Sequence, residues 1–114
     1  MLKTFLQTIN VAGLTLVAAH GALAVEINKT TGPARPILLT TFIDCKRHSP
    51  HGDAGAFAQH GAVEGKDVIQ NSCGNSNEPA RQVWYTPLPG FRGIDKVTFP
   101  FSGGRTLIFN VRVR

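Results

Sequence analysis

The chain has 114 residues, a formal net charge of +5, 42% hydrophobic and 17% charged residues, and two cysteines. That length holds one small domain and is too short for two; such a domain buries only roughly 60–65% of the surface its unfolded chain exposes, so a covalent staple helps it. The basic excess is modest and lacks interleaved aromatic residues, which argues against nucleic acid as a partner.

Residues 1–24 read as a secretory signal peptide. Lys3 lies in a short leading segment, an apolar core runs from about Val11 to Ala19, and Ala22-Leu23-Ala24 forms an A-x-A cleavage site. Gly13, Thr15 and His20 interrupt the apolar run, which falls short of the roughly 20 residues that cross a bilayer. Cleavage before Val25 is expected, leaving residues 25–114 as one secreted or periplasmic domain without a stable membrane span. In that oxidising setting Cys45 and Cys73 are expected to form a disulfide.

Val25 to Ile27 suggests a short edge strand, and Asn28 to Pro36 a turn-rich connection broken by Gly32-Pro33. Ile37 to Ile43 is β-branched and aromatic, the pattern of a central strand, and it ends at Asp44-Cys45. From Lys46 to Gly61 no period of 2 or 3.6 survives, so the expectation is a long surface loop with a helical turn through Ala54 to Gln59. Ala62 to Glu64 and Val68 to Gln70 suggest two short strands around a Gly65-Lys66-Asp67 turn. Asn71 to Ala80 reads as a polar loop.

Gln82 to Thr86 opens the better-determined region. Val97, Phe99 and Phe101 alternate with Lys96, Thr98 and Pro100, a half-buried strand in which Pro100 demands an edge or a bulge. Ser102-Gly103-Gly104 predicts a tight hairpin, followed by a long strand with Leu107, Phe109, Val111 and Val113 on one face.

Tyr85-Thr86-Pro87, Pro89-Gly90-Phe91, Gly93, Asp95 and Val97-Thr98-Phe99, preceded by His60-Gly61-Ala62-Val63, resemble the signature of bacterial cadherin-like, immunoglobulin-like repeats of surface adhesins. The resemblance covers about half of the mature chain. It implies an antiparallel β-sandwich and a role in adhesion. The residues read alone agree: the prolines stiffen a corner, Phe91 plugs it, and Asp95 caps its turn through backbone N–H groups. The chain departs from those repeats in being a single unit, in its cysteine pair and in its His-containing loop. It also lacks the clustered oxygen ligands that calcium requires between cadherin-type repeats.

Three side-chain groupings carry possible chemistry. Cys45, His48, His51, Asp53 and His60 have spacings that suit zinc or copper, although loop histidines are usually solvated and Cys45 is claimed by Cys73. Arg92, Lys96, Arg105, Arg112 and Arg114 crowd the C-terminal hairpin, where they suit an anionic partner or protect a sheet edge. Trp84 faces outward or packs under a loop. The serines lie in no nucleophile elbow, and the carboxylates are scattered over loops.

The expectation is therefore an all-β, immunoglobulin-like sandwich of about seven short strands with one disulfide, without enzymatic activity or cofactor. It would act as an interaction or structural module, binding protein or anionic surface polysaccharide. The candidate binding residues are His48, His51, His60, Trp84, Arg105 and Arg112; the alternative is a periplasmic metal-binding protein using His48, His51 and His60.

Overall fold

A computed structural model describes residues 23–50 and 55–114. Six strands follow in order: β1 (Ala24–Thr31), β2 (Ile37–Phe42), β3 (Gly61–Ser72), β4 (Asn75–Pro87), β5 (Gly93–Pro100) and β6 (Thr106–Val113), with a 3-10 turn at Ser102–Gly104 before β6. They form two three-stranded sheets ordered β1-β6-β5 and β2-β4-β3. The expected leader lies outside the described residues except for Leu23 and Ala24, as do His51 and Asp53. Among the described residues no helix is long and apolar enough to cross a membrane.

The alternation expected in the last third holds. Phe109, Val111 and Val113 of β6 and Val97 and Phe99 of β5 point inward and are buried against Leu39, Val83 and Tyr85 of the other sheet. Phe99 is the hub, packing edge-on against Phe109 at 5.6 Å and Phe42 at 5.9 Å between ring centroids. Each such side chain contributes roughly 1.5–3 kcal/mol of burial free energy, so this one cluster supplies most of the apolar driving force. Leu39 reaches it through a bulge: Leu38 pairs with Trp84 and Thr40 with Val83, so the extra residue between them is accommodated out of register.

Local composition misleads at five places. The β-branched Ile37–Phe42 strand, expected to be central, is the edge of its sheet, because β2 pairs with β4 alone. The Val25 to Ile27 edge strand extends to the whole of Ala24–Thr31 and runs parallel to β6, from Ala24 opposite Thr106 to Thr31 opposite Val113. Gly65-Lys66-Asp67 is no turn: β3 continues through it because Gly65, Lys66 and Asp67 pair with Val83, Gln82 and Arg81. Nor is Asn71 to Ala80 a loop. A two-residue turn at Cys73 and Gly74, with φ of 57° and 69°, joins β3 to β4, positive values that a type I′ hairpin requires and that glycine supplies freely. The helical turn expected through Ala54 to Gln59 is replaced, over its described part, by extended chain, since Phe57 bridges Thr98 of β5.

The β3–β4 hairpin outruns its sheet. β2 pairs with β4 only from Arg81 to Tyr85, so Asn75 to Ala80 is paired with β3 alone. A two-stranded ribbon is marginal in water. The connection after β2 secures it: Asp44 accepts the Lys46 and Arg47 N–H groups at 3.0 Å, and Cys45, placed by that turn, is bonded to Cys73 with 5.5 Å between Cα atoms.

Candidate functional site

At one end of the hairpin the residues that carry the adhesin resemblance converge. Gly61 lies beneath the Tyr85 ring; a Cβ there would come 2.6 Å from the ring Cζ and 2.7 Å from the Thr86 carbonyl oxygen, closer than any side chain tolerates. The buried carboxylate of Asp95 accepts the Tyr85 hydroxyl at 2.8 Å, the His60 N–H at 2.9 Å and the Gln59 N–H at 3.3 Å. Asp95 thus does accept backbone N–H groups, but from a segment 35 and 36 positions earlier rather than from its own turn. Burial, then the Asp95 hydrogen bond and charge, hold the Tyr85 phenol well above its ordinary range.

His60 belongs to the same knot. Its ring stacks on Phe91 with centroids 4.4 Å apart and planes 6° from parallel, while its carbonyl oxygen accepts the Leu88 N–H at 2.9 Å. Phe91 covers the corner half-buried instead of filling it as an internal plug, because the His60 ring lies against it. The Asp95 carboxylate, the Tyr85 hydroxyl and the His60 backbone are all partnered within the fold, so the corner is a lock.

The opposite end of the hairpin holds His48. Its Nδ1 lies 2.9 Å from both oxygens of Glu78, a fully buried carboxylate that also accepts Asn75 Nδ2 at 3.3 Å. A cleft of about 620 Å³ opens beside it, lined by His48, Ser49, Pro50, Asp67, Ile69 and Pro79 among others. Gln70, opposite Glu78, is ten positions along β3 from His60, roughly 33 Å at about 3.3 Å per residue. His48 and His60 therefore cannot share one ion. Among the described residues no three His, Cys, Asp or Glu side chains gather around a common point.

The remaining candidates also separate. Trp84 faces outward on the β2-β4-β3 sheet, half-buried, with Lys66 Nζ 5.3 Å from its ring and its Nε1 donating to Gln82 at 3.1 Å. Arg105 sits at the β5–β6 turn beside an apolar notch formed with Leu23, Val25, Phe101 and Leu107. Arg112, seven positions along β6, is roughly 23 Å away. It lies instead on the outer face of the β1-β6-β5 sheet, in a shallow groove of about 510 Å³ with Asn28, Lys29, Thr30, Ile94, Lys96 and Asn110.

That groove is the chemically available surface. Asn110 Nδ2 donates to Glu26 at 2.9 Å and to Asn28 Oδ1 at 3.4 Å, a cross-strand amide ladder that fixes both side chains. Asp95, on the same sheet, points inward and is buried. Neither Lys96 nor Arg112 has an ion-pair partner among the described residues. Asn28 and Asn110 escape a reading of sequence because they are distant along the chain; the signal present is the alternation that turns Asn110 and Arg112 outward on β6. No protein-family model, curated protein or solved structure matches the chain.

Proposed function

We propose that this chain is an exported, immunoglobulin-like module that binds a partner at the cell surface or in the periplasm and carries out no reaction. With strands lettered in chain order and the Phe57 bridge standing for strand C, the sheet orders become A-G-F-C and B-E-D. That arrangement supports the fold part of the reading, since it resembles the immunoglobulin division with the first strand moved beside the last. The disulfide fits an oxidising compartment.

One observation carries the functional part. The residues of the adhesin-like signature are spent on a structural lock, while two cations without ion-pair partners among the described residues, Lys96 and Arg112, stand side by side on a rigid sheet face suited to recognition. The test is retention of the purified, fluorescently labelled protein on cell-envelope fragments of the producing organism. Saturable retention supports the module; its absence overturns it.

A second reading, metal binding, draws on His48. Glu78 holds its Nδ1, as carboxylates orient metal-bound histidines, and His48 lines the cleft. His60 is too distant to contribute. A zinc-dependent rise in melting temperature that disappears in His48→Ala would favour this reading over the first.

A further inference from the structure

The geometry points to the outer face of the β1-β6-β5 sheet as a binding site for an acidic polysaccharide, a glycan bearing carboxylates along its chain; this rests on the binding-module reading. Lys96 pairs with Asn110 and Arg112 with Ile94, which makes the two cations diagonal neighbours, roughly 7–8 Å apart. Like charges on such a diagonal repel, and an anion between them removes the repulsion. Protection of a sheet edge does not explain Arg112, because β6 is the central strand of its sheet.

The groove around them is suited to sugar. Asn110 spends its amide N–H on Glu26 and Asn28, and this fixes its carbonyl oxygen and the Asn28 amide nitrogen in place for ligand hydroxyls. Thr30, beside Arg112, adds a hydroxyl. Ile94 is 54% exposed and offers an apolar patch for the C–H face of a ring. It is the one large exposed hydrophobic lining this groove, where a lipid surface would call for several that insert. Arg92 and Arg114, flanking Gly93 and Val113 at the upper rim, add positive potential that draws a polyanion to the face.

The test titrates the full purified chain with polygalacturonate, with neutral dextran and with phosphatidylglycerol vesicles, in about 0.1 M salt, where free charges are screened beyond about 10 Å. Polygalacturonate is expected to bind and dextran not. Lys96→Gln/Arg112→Gln should weaken binding by about tenfold or more, whereas Lys46→Gln/Arg47→Gln, the same charge change at the other end of the molecule, should weaken it less than about twofold. Asn28→Ala/Asn110→Ala should weaken it without changing the net charge. Equal losses from the two charge variants, or tighter binding to the vesicles than to polygalacturonate, would overturn the assignment. Failure to bind polygalacturonate by a protein still retained on envelope fragments sinks this inference alone; loss of both sinks the binding-module reading as well.

Discussion

The two ends of the β3–β4 hairpin are fastened by opposite means. At the His60–Asp95 corner the fastening is buried and noncovalent: a ring over a glycine, a carboxylate with three donors, one stacked pair. At the Cys73 turn it is covalent and largely exposed, with the Cys45 bond and the His48 contact holding a ribbon that no third strand supports. The corner joins both sheets, so breaking it should unfold the molecule cooperatively. The tip joins a ribbon to a loop, so breaking it should loosen that ribbon first.

The sharpest way to break the contrast is Asp95→Ala. It removes the acceptor of the Gln59 and His60 N–H groups and leaves the buried Tyr85 hydroxyl only its long contact to the His60 carbonyl oxygen at 3.4 Å, each lost partner costing on the order of 1–3 kcal/mol, for a total of about 4 kcal/mol. Chemical denaturation should show a single transition at much lower denaturant, and an unchanged midpoint would remove the corner from the stability account. The same contact sets an alkaline limit. Because the folded phenol of Tyr85 is held above its unfolded value near 10, its contribution is complete below that pH and is lost as pH rises above it. Wild type should therefore lose stability above about pH 10 more steeply than Tyr85→Phe, measured by denaturant midpoints at matched pH values.

Next in size is Cys45→Ala/Cys73→Ala. Closing a loop across a separation of 28 positions contributes roughly 3–4 kcal/mol in the chain-entropy view. The observed loss should fall toward the lower end, because the variant can fray locally between Val68 and Ala80 without global unfolding. Hydrogen exchange is expected to speed up in that ribbon while amides of Val83 and Val97 keep their protection. Uniform acceleration would erase the distinction between the two ends.

How far each end was legible follows from what fixes it. Two cysteines in a chain expected to be exported announce their own pairing, and the alternation of Val97 to Val113 needs only a period of 2. The hairpin was hidden because Gly65-Lys66-Asp67 and the Asn- and Gly-containing stretch after it have turn composition; only pairing with Val83, Gln82 and Arg81 makes a strand of the former. The corner was half-legible. Its residues are prominent, yet that Asp95 serves Gln59 and His60 depends on a contact between distant segments. The proposed binding face was least legible: Arg105 and Arg112 are near in sequence and lie at opposite ends of a strand, whereas Lys96 and Arg112 become neighbours only through register.

Phe91→Ala probes the corner's outer layer. A fully buried phenylalanine would cost about 3–5 kcal/mol on truncation, but Phe91 is half-buried, so about 2 kcal/mol is expected, including its stacking on His60. A thermal melt of His60→Ala/Phe91→Ala should show less than the sum of the two single losses. Strict additivity would mean that the stacked pair contributes nothing of its own.

His48→Ala should have the smallest effect at either end, and it tests whether the tip depends on its buried carboxylate. His48 itself has half its side chain in solvent, where an ion pair contributes about 0–1 kcal/mol. Its partner is fully buried, and without the imidazole Glu78 keeps, among the described residues, the long contact from Asn75. The loss should therefore exceed that of an exposed pair and reach about 1–2 kcal/mol, since a desolvated acceptor left without its main donor is costly. Glu78→Gln in the His48→Ala background should recover part of it by removing the stranded charge. If the double variant is instead less stable than His48→Ala alone, the carboxylate still accepts hydrogen bonds that the isosteric amide cannot, so the loss of the imidazole does not strand Glu78, and the two ends of the hairpin are more alike than their fastenings suggest.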